Sequence, residues 1–227
     1  MDKVIVIGAT GGIGSAVARA LVARGAAVTG LARASSPPLD LEDEGSIEAA
    51  ARALAGEAPF DGMVIATGLL HAEGVTPEKA LRQIDGPALD RLFRVNVTGP
   101  ALVMKHFIPL MARDRRIVIA ALSARVGSIG DNRLGGWVGY RSAKAALNQL
   151  IRTLSIELAR THPEAVIAGL HPGTVDTALS KPFQRHVAAA TLLSPDESAA
   201  HLLDVIGRLT PSDSGGCFDW RGERITP

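Results

Sequence analysis

Short runs of consecutive apolar residues alternate along the chain with longer segments of helical periodicity. The apolar runs predict strands at 3–7, 27–32, 62–66, 116–121, 165–170 and 216–220. The periodic segments predict helices at 13–24, 89–111, 138–160 and 195–209. Strands that are apolar throughout are covered on both faces of their sheet. The pattern therefore predicts an α/β fold with a mostly parallel, doubly wound sheet.

Composition narrows the classes of protein without deciding the chemistry. Lys and Arg number 24 against 23 Asp and Glu, a net charge of +1, and no block of like charge indicates a nucleic-acid or acidic-membrane surface. No apolar stretch is long enough to span a bilayer. The single cysteine, Cys217, cannot form an internal disulfide, which suits a reducing compartment. We expect a cytoplasmic protein with one domain over 1–227, because the linker-like segment 34–46 is too short to separate two domains.

The first predicted strand runs into the glycine-rich turn "GATGGIG". Gly8, Gly12 and Gly14 allow close approach of a ligand to the backbone, and the following helix points its N–H groups and positive dipole end at the turn. A pyrophosphate is the ligand that such a turn binds. The alternative is an ordinary glycine-rich turn, but its place after an N-terminal buried strand favours a dinucleotide site.

The second predicted strand ends without an acidic residue. NAD sites usually present a carboxylate there to the ribose 2′-hydroxyl, whereas this chain has Ala32 followed by Arg33. The planar guanidinium of Arg33 can hold a 2′-phosphate, or Arg33 can be an ordinary solvated loop residue. Because the acid is missing, the sequence predicts NADP(H) in preference to NAD(H).

The only tyrosine of the chain, Tyr140, precedes Lys144 by one helical turn in "YRSAK". At this spacing the two side chains share a helix face, and the ammonium would lower the pKa of the phenol. Such a phenol can give a proton to an alkoxide or take one from an alcohol. The alternative is a surface pair of no chemical importance.

Pro100 lies four residues after Asn96 in the second predicted helix. Since proline has no N–H, the carbonyl of Asn96 loses its helical partner and the helix should kink. That carbonyl could bind a water between Asn96 and Lys144 and so complete a proton path to Tyr140, or the kink could serve packing alone.

With these motifs in place, the chain resembles the short-chain dehydrogenase/reductase family over essentially its whole length. "GATGGIG" resembles the T-G-x-x-x-G-I-G turn, with Ile7 in place of threonine, and "YRSAK" matches Y-x-x-x-K. "FRVNVTGP" resembles the segment that holds the asparagine of the catalytic tetrad, and "HPGTVDT" matches P-G-x-V-x-T. Since only a few loop residues join Arg33 to Asp40, the chain looks most like a small C-factor-like branch of this family. The resemblance implies a single-domain Rossmann fold and hydride transfer between a nicotinamide and a carbonyl or alcohol substrate.

The resemblance also implies a role for individual residues. The catalytic set would be Asn96, Ser123, Tyr140 and Lys144, with Ser123 hydrogen-bonded to the substrate oxygen. Asp40 would contact the adenine, and Val175 and Thr177 would face the nicotinamide carboxamide. The cofactor-binding residues would be Gly8, Thr10, Gly12, Ile13, Gly14, Arg33, Asp40, Gly68, Tyr140, Lys144, Pro172, Gly173, Val175 and Thr177.

Two departures from the family pattern concern the cofactor half of the chain. The usual N-N-A-G is replaced by "IATG" at 65–68, which keeps only Gly68. The helix expected between the second and third strands is missing, because a few loop residues join Arg33 to Asp40. We therefore expect a sheet that is shortened between strands 2 and 3.

A third departure concerns the catalytic serine. The usual Ser-Ser pair is Ser123 followed by Ala124, and alignment on Gly127 puts Ala124 at the catalytic position. A one-residue bulge would restore Ser123 to that position, and Ser128 is a less favoured substitute.

The sequence thus predicts an NADP(H)-dependent oxidoreductase with a small-molecule carbonyl or alcohol substrate and no metal. Its substrate loops would be 69–86, 125–137 and 178–194, with a largely apolar pocket. The resemblance favours a homodimer or homotetramer through helices 87–111 and 138–160. The altered "IATG" and the serine register keep a second hypothesis open, a catalytically weak NAD(P)-binding sensor or signalling protein.

Overall fold

The chain alternates strands and helices in nearly the order that the apolar pattern predicts. The computed structural model describes residues 1–186, 188 and 191–227. Its strands are β1 (Lys3–Ile7), β2 (Ala27–Leu31), β3 (Gly62–Ile65), β4 (Ile117–Leu122), β5 (Ala165–His171), β6 (Thr174–Val175), β7 (Leu192–Leu193) and β8 (Cys217–Asp219). Its helices are α1 (Gly12–Ala23), α2 (Glu44–Ala53), α3 (Gly86–Phe93), α4 (Gly99–Phe107), α5 (Val138–Thr161) and α6 (Pro195–Arg208).

Six strands form one parallel sheet in the order β2-β1-β3-β4-β5-β8. Apolar residues of α1 and α6 pack on one face, and those of α2, α4 and α5 pack on the other. This arrangement confirms the predicted doubly wound α/β class with a mostly parallel sheet. Strands from both ends of the chain share the sheet, which supports the prediction, still untested, that 1–227 form a single domain.

The connection between β2 and β3 contains a helix that the sequence interpretation omitted. α2 begins after Asp43, whose carboxylate accepts the N–H of Gly45 at 2.9 Å. It buries Ile47, Ala50 and Ala51 against the sheet. The expectation that this connection lacks a helix is therefore wrong, because the apolar spacing of i, i+3 and i+4 from Ile47 forms a helical stripe. The shortening lies before α2, where residues 32–43 carry no strand or helix.

The kink expected before Pro100 is present as a wide turn. Residues Arg94–Thr98 form a π-helical turn that joins α3 to α4, and Pro100 lies in the first turn of α4. N–H groups in the first turn of a helix have no acceptor within that helix, so a proline there removes no hydrogen bond from α4. The single predicted helix 89–111 is therefore two helices, with Asn96 in the turn between them.

The carboxyl ends of four neighbouring strands meet at one edge of the sheet. Gly8 follows β1, Gly68 follows β3 by three residues, Ser123 follows β4 and Pro172 follows β5. The chain leaves β1 in one direction to form β2 and returns on the other side as β3, so a crevice opens between β1 and β3. Ligands of open α/β sheets bind at such a switch point.

At the opposite edge, Asp61 ties together the starts of three strands. Its Oδ2 accepts the N–H groups of Asp2 and Lys3 at 3.1 and 3.0 Å, beside β1. Its Oδ1 accepts Nε of Arg115 at 2.7 Å, beside β4, and Asp61 itself precedes β3. Burial would raise the pKa of Asp61, but the Arg115 guanidinium and the two N–H groups together hold it below its ordinary value.

Asp61→Ala is expected to lower the free energy of unfolding at neutral pH by about 1–3 kcal/mol, because it leaves two N–H groups and a guanidinium without their acceptor. Since folding lowers the pKa of Asp61, the folded state binds fewer protons between the two pKa values. The stabilisation is therefore complete above the ordinary aspartate pKa of about 3.9 and is lost as the pH falls further. Urea unfolding at several pH values measures the difference. Asp114→Ala, at a carboxylate 81% exposed, is the control, and equal destabilisation by both variants would contradict the assignment.

Candidate active site

The glycine turn after β1 is packed too closely for any side chain at two positions. Gly8 has φ +84°, and a Cβ there would lie 2.9 Å from the carbonyl oxygen of Ala66. A Cβ on Gly14 would lie 2.2 Å from the carbonyl oxygen of Gly8. Gly11 caps α1 without a side-chain hydrogen bond, so the first N–H groups of the helix point to the turn without a side-chain acceptor. These features suit the turn to a phosphate group.

A cleft of about 390 Å³ extends from this turn along the carboxyl ends of β1, β2 and β3. Five of the predicted cofactor residues line it: Gly8, Thr10, Arg33, Asp40 and Gly68. Arg33 is exposed, and within the described residues its guanidinium has no ion-pair partner. A cleft of this size with an unengaged cation at its β2 end can accommodate the adenosine half of a phosphorylated dinucleotide.

The "HPGTVDT" segment lies beside the glycine turn. A Cβ on Gly12 would meet Cγ2 of Thr177 at 2.7 Å. Val175 is buried in the short strand β6, which pairs with β7, and Gly173 has φ +82°. The structure thus brings the second group of predicted cofactor residues against the first.

Thr67 offers an unpaired polar atom in the cleft. Its Oγ1 is buried and, within the described residues, has no hydrogen-bond partner. The residue lines the cleft between Ala66 and Gly68, and its Cγ2 lies 2.8 Å from the position of a Cβ on Gly8. A buried hydroxyl without a partner is costly unless a ligand or water satisfies it. The residues of the cleft therefore fit a dinucleotide.

Tyr140 and Lys144 lie in the first two turns of α5, and both are buried. The ammonium of Lys144 lies 5.7 Å from the centre of the Tyr140 ring and donates a hydrogen bond to the carbonyl of Leu122 at 2.8 Å. Burial lowers the pKa of Lys144 to about 8. Burial also raises the pKa of Tyr140 above its ordinary value. The attraction of the Lys144 ammonium for a phenolate, expected to lower the tyrosine pKa, does not set the net shift, because the loss of hydration dominates.

Asn96 fixes the loop that follows β3. Its Oδ1 accepts the N–H of Leu69 at 3.1 Å, and its Nδ2 donates to the carbonyls of Leu69 and Leu92 at 2.8 and 3.0 Å. A Cβ on Gly68 would lie 3.5 Å from this Oδ1 and 3.6 Å from Nζ of Lys144. Asn96 and Lys144 therefore lie together beside Gly68, which lines the cleft.

Ser123 and Ala124 project to different surroundings. The hydroxyl of Ser123 donates to Oδ1 of Asn148 on α5 at 2.6 Å, and its Cβ faces Gly169 of β5. Ala124 packs instead in the apolar cluster that contains Tyr140. The catalytic role of Ser123 stays a prediction, and the residue that shares a cluster with Tyr140 is Ala124, the one that alignment on Gly127 indicates.

Ser128, the less favoured substitute, stabilises the loop after β4. Its hydroxyl accepts the N–H of Asp131 at 3.0 Å, and its side chain is buried. The same loop packs on α5, since a Cβ on Gly127 would meet Cβ of Lys144 at 2.8 Å. The hydroxyl is therefore engaged within its own loop.

The three predicted substrate loops meet over Tyr140. Trp137 contacts Tyr140 and Phe183 edge to face, with ring centres 6.4 and 5.1 Å apart. Nε2 of His71 lies 3.2 and 3.1 Å from the carbonyls of Ala178 and Leu179 and joins the first loop to the third. The surroundings of the phenol are apolar, as expected. Residues 187, 189 and 190 of the predicted loop 178–194 lie outside the described residues.

Three polar residues of the site were missed by the sequence interpretation. Asn148 continues the stripe of Tyr140 and Lys144 at a spacing of four residues, a signal that was available in the sequence. Thr67 was seen only as a departure from N-N-A-G. Arg91 lines the cleft and lies 3.7 Å from the carboxylate of Glu42, a pairing that no local pattern indicates.

Comparison with known proteins identifies the family. The family model for short chain dehydrogenases matches residues 2–188. The 1-hydroxy-2-glutathionyl-2-methyl-3-butene dehydrogenase of Rhodococcus sp. (strain AD45) is 30% identical over 226 residues, covering 95% of each chain. C-signal of Myxococcus xanthus is 35% identical over 147 residues, covering 64% of this chain and 82% of its own. A crystal structure of a short-chain dehydrogenase/reductase from Burkholderia multivorans with bound NADP is 26% identical, with a TM-score of 0.83 over 100% of this chain and 99% of its own.

The chain belongs to the short-chain dehydrogenase/reductase family. It is an oxidoreductase of that family with a nucleotide-binding Rossmann fold, and it acts on an alcohol or carbonyl group of a small molecule. The similarity to C-signal agrees with the C-factor-like resemblance. Across the described part of the chain, no helix is long and apolar enough to cross a bilayer.

Because Tyr140 is the only tyrosine, its ionisation can be followed directly by the near-ultraviolet absorbance of tyrosinate. The titration midpoint is expected above the value of about 10 for an unperturbed phenol, since burial disfavours the charged form. Far-ultraviolet circular dichroism at each pH shows that the protein is still folded, and Tyr140→Phe supplies the blank. A midpoint near 10 in the folded protein would refute the burial argument.

Proposed function

We propose that the protein transfers hydride between NADP(H) and an apolar carbonyl/alcohol substrate, with Tyr140 as the general acid and base. One observation carries the proposal. Asn96 and Lys144 lie beside Gly68, which lines the cleft, and Tyr140 lies one helical turn before Lys144. A proton donor beside a nucleotide cleft is what the reduction of a carbonyl requires.

The chain's own residues would handle the proton. When bound, a reduced nicotinamide would supply the hydride. Tyr140 donates its phenolic proton to the oxygen of the carbonyl as that oxygen gains negative charge, and it removes the proton in the oxidative direction. Burial lowers the pKa of Lys144 to about 8. In its ammonium form Lys144 would stabilise the phenolate that remains. The neutral phenol is the correct resting form for a proton donor, and burial favours it.

Asn96 would support proton return from solvent. Pro100 cannot donate an N–H to the Asn96 carbonyl, and the π-helical turn widens the backbone there. We propose that this carbonyl and Lys144 hold a water that reprotonates Tyr140. Ser123 would contribute to the substrate oxygen only after releasing Asn148, so the proposal does not depend on it.

NADP(H) is the proposed cofactor. Arg33 is exposed at the β2 end of the cleft, and the position where NAD sites carry an acid is Ala32. The Burkholderia multivorans relative binds NADP. The glycine turn (Gly8, Thr10, Gly12, Ile13, Gly14), Asp40 and Gly68 would hold the nucleotide, Tyr140 and Lys144 the nicotinamide ribose, and Pro172, Gly173, Val175 and Thr177 the carboxamide side.

A homodimer or homotetramer through helices 87–111 and 138–160 is also proposed. Ile156 on α5 is 51% exposed, and Leu150 and Leu154 are only partly buried. In such an assembly a second copy of the chain would cover the exposed side chain of Ile156 on α5.

A weakly catalytic NADP(H)-binding protein is the second candidate. Ala124, which shares an apolar cluster with Tyr140, has no hydroxyl that could bind the substrate oxygen. The chain is also 35% identical to C-signal over the aligned residues, a relative whose name denotes a signal. The first experiment below separates the two candidates.

Incubation with NADPH and a panel of aldehydes, ketones and quinones is expected to consume the cofactor, as followed by its absorbance. Tyr140→Phe, which removes only the hydroxyl, is expected to lower kcat by about 10²–10⁴-fold while NADPH still binds. Tight NADPH binding without turnover on any substrate would favour the sensor. Full activity of Tyr140→Phe would exclude Tyr140 as the acid.

Arg33→Ala is expected to weaken NADPH binding by about 10–100-fold, the loss of about 1.5–3 kcal/mol in hydrogen bonds to a charged group. NADH affinity should stay the same, because NADH has no 2′-phosphate. Fluorescence titration with each cofactor measures the ratio, and Arg82→Ala, outside the cleft-lining residues, is the control. Unchanged NADPH affinity would remove Arg33 from the cofactor site.

A further inference from the structure

The helix that carries Tyr140 begins from an unusual backbone. Gly135, Gly136 and Trp137 have φ values of 63°, 66° and 52°, so three consecutive residues are left-handed before α5 begins. The left-handed conformation costs a residue with a Cβ roughly 1–2 kcal/mol. Trp137 occupies the N-cap position without a side-chain cap, and the first turn of α5 has no acidic residue. Something outside the helix must therefore hold this start in place.

Glu78 supplies the missing acceptors from the loop that follows β3. Its backbone carbonyl accepts the N–H of Trp137 at 2.5 Å. Its two carboxylate oxygens lie 3.2 and 3.3 Å from the N–H of Gly139 and accept from it. The residue is only 3% exposed, although carboxylates are rarely buried without a strong reason. One residue thus satisfies two N–H groups of the helix start, as an N-cap side chain would.

Gly139 is what lets the carboxylate approach the helix. A Cβ on Gly139 would lie 2.9 Å from Oε1 of Glu78 and 2.6 Å from Cδ1 of Leu92. The next residue in the chain is Tyr140. Glu78 therefore holds Trp137 and Gly139, the residues whose backbone determines the position of Tyr140. Because Gly139 is bonded to Tyr140, a shift of Gly139 moves Tyr140 as well.

We propose that Glu78 is a positioning residue for Tyr140, holding the first turn of α5 so that the phenol stays in place for proton transfer. The proposal rests on the proposed function of Tyr140 as the acid. The rest of α5 is anchored by Leu147, Ile151 and Leu158 in the core, so loss of Glu78 should displace the first turn without unfolding the helix. Misplacement of a reacting group by about 1 Å can cost as much as 10²-fold in rate.

Steady-state kinetics on the full chain with NADPH and a carbonyl substrate test the proposal through Glu78→Ala and Glu78→Gln. Glu78→Ala is expected to lower kcat by about 10-fold or more with the Kd for NADPH unchanged, because Glu78 does not line the cofactor cleft. Glu78→Gln keeps an oxygen at the same reach and is expected to restore at least half of the wild-type kcat. Glu164→Ala, at an exposed acid outside the substrate loops, is the control.

An activity-independent measurement separates this proposal from the proposed function. The tyrosinate titration of Tyr140 in Glu78→Ala is expected to move towards that of an unperturbed phenol as the turn opens, and in Glu78→Gln to match the wild type. Lys144, whose ammonium lies 5.7 Å from the centre of the ring, is unchanged in both variants. If the wild type consumes no NADPH, the proposed function fails while this titration still tests the positioning role.

Glu78→Asp serves if Glu78→Ala does not fold. The shorter side chain draws the carboxylate back from Gly139, so kcat and the titration should change in the same direction as for alanine. Wild-type kcat and titration in Glu78→Ala or Glu78→Asp would overturn the proposal. So would a loss in Glu78→Gln equal to that of the shorter variants, because it would show that charge rather than position is responsible.

Discussion

The site depends on a lysine ammonium held inside the protein by the end of a strand. Lys144 is 2% exposed and donates to the carbonyl of Leu122, the last residue of β4. An ammonium can be buried only where hydrogen bonds replace its hydration, and the carbonyls at the carboxyl edge of a parallel sheet provide such acceptors. The packing of α5 on the sheet brings Lys144 to this edge, and the loop after β3, locked by Asn96, closes around it.

The same burial acts in opposite directions on the two members of the pair. It lowers the pKa of Lys144 and raises that of Tyr140, so each group is pushed towards its neutral form. The difference between the pKa values of Tyr140 and Lys144 therefore depends on the hydration and charge of their surroundings as well as on the interaction between the two groups. A helical pair of this kind on a solvated surface would have no such dependence. The apolar cluster with Trp137 and Phe183 would thus contribute to the proposed acid–base chemistry as well as to the proposed substrate pocket.

Local sequence patterns predicted most of the fold because strands and helices follow from the spacing of apolar residues. β1 was predicted to the residue, and α5 and α6 to within one residue of each end. A kink near Asn96 followed from the missing N–H of Pro100, although its form as a π-helical turn did not. α2 was missed since its polar face and the prolines before it resembled a linker. The orientation of Ser123 was not predictable, because it depends on Asn148, and Glu78 meets Gly139 across 61 positions of sequence separation.

The contact of Asp61 with the starts of three strands lies at the edge of the sheet remote from the cleft. Three sheet strands, β1, β3 and β4, thus have their amino-terminal ends joined through Asp61 and their carboxyl ends at the proposed ligand site. Loops that follow the carboxyl ends of the strands can therefore change during evolution without disturbing the contact between Asp61 and Arg115 at the amino-terminal ends. An engineer who wishes to retarget this scaffold should accordingly leave the amino-terminal rim untouched and randomise only the opposite one.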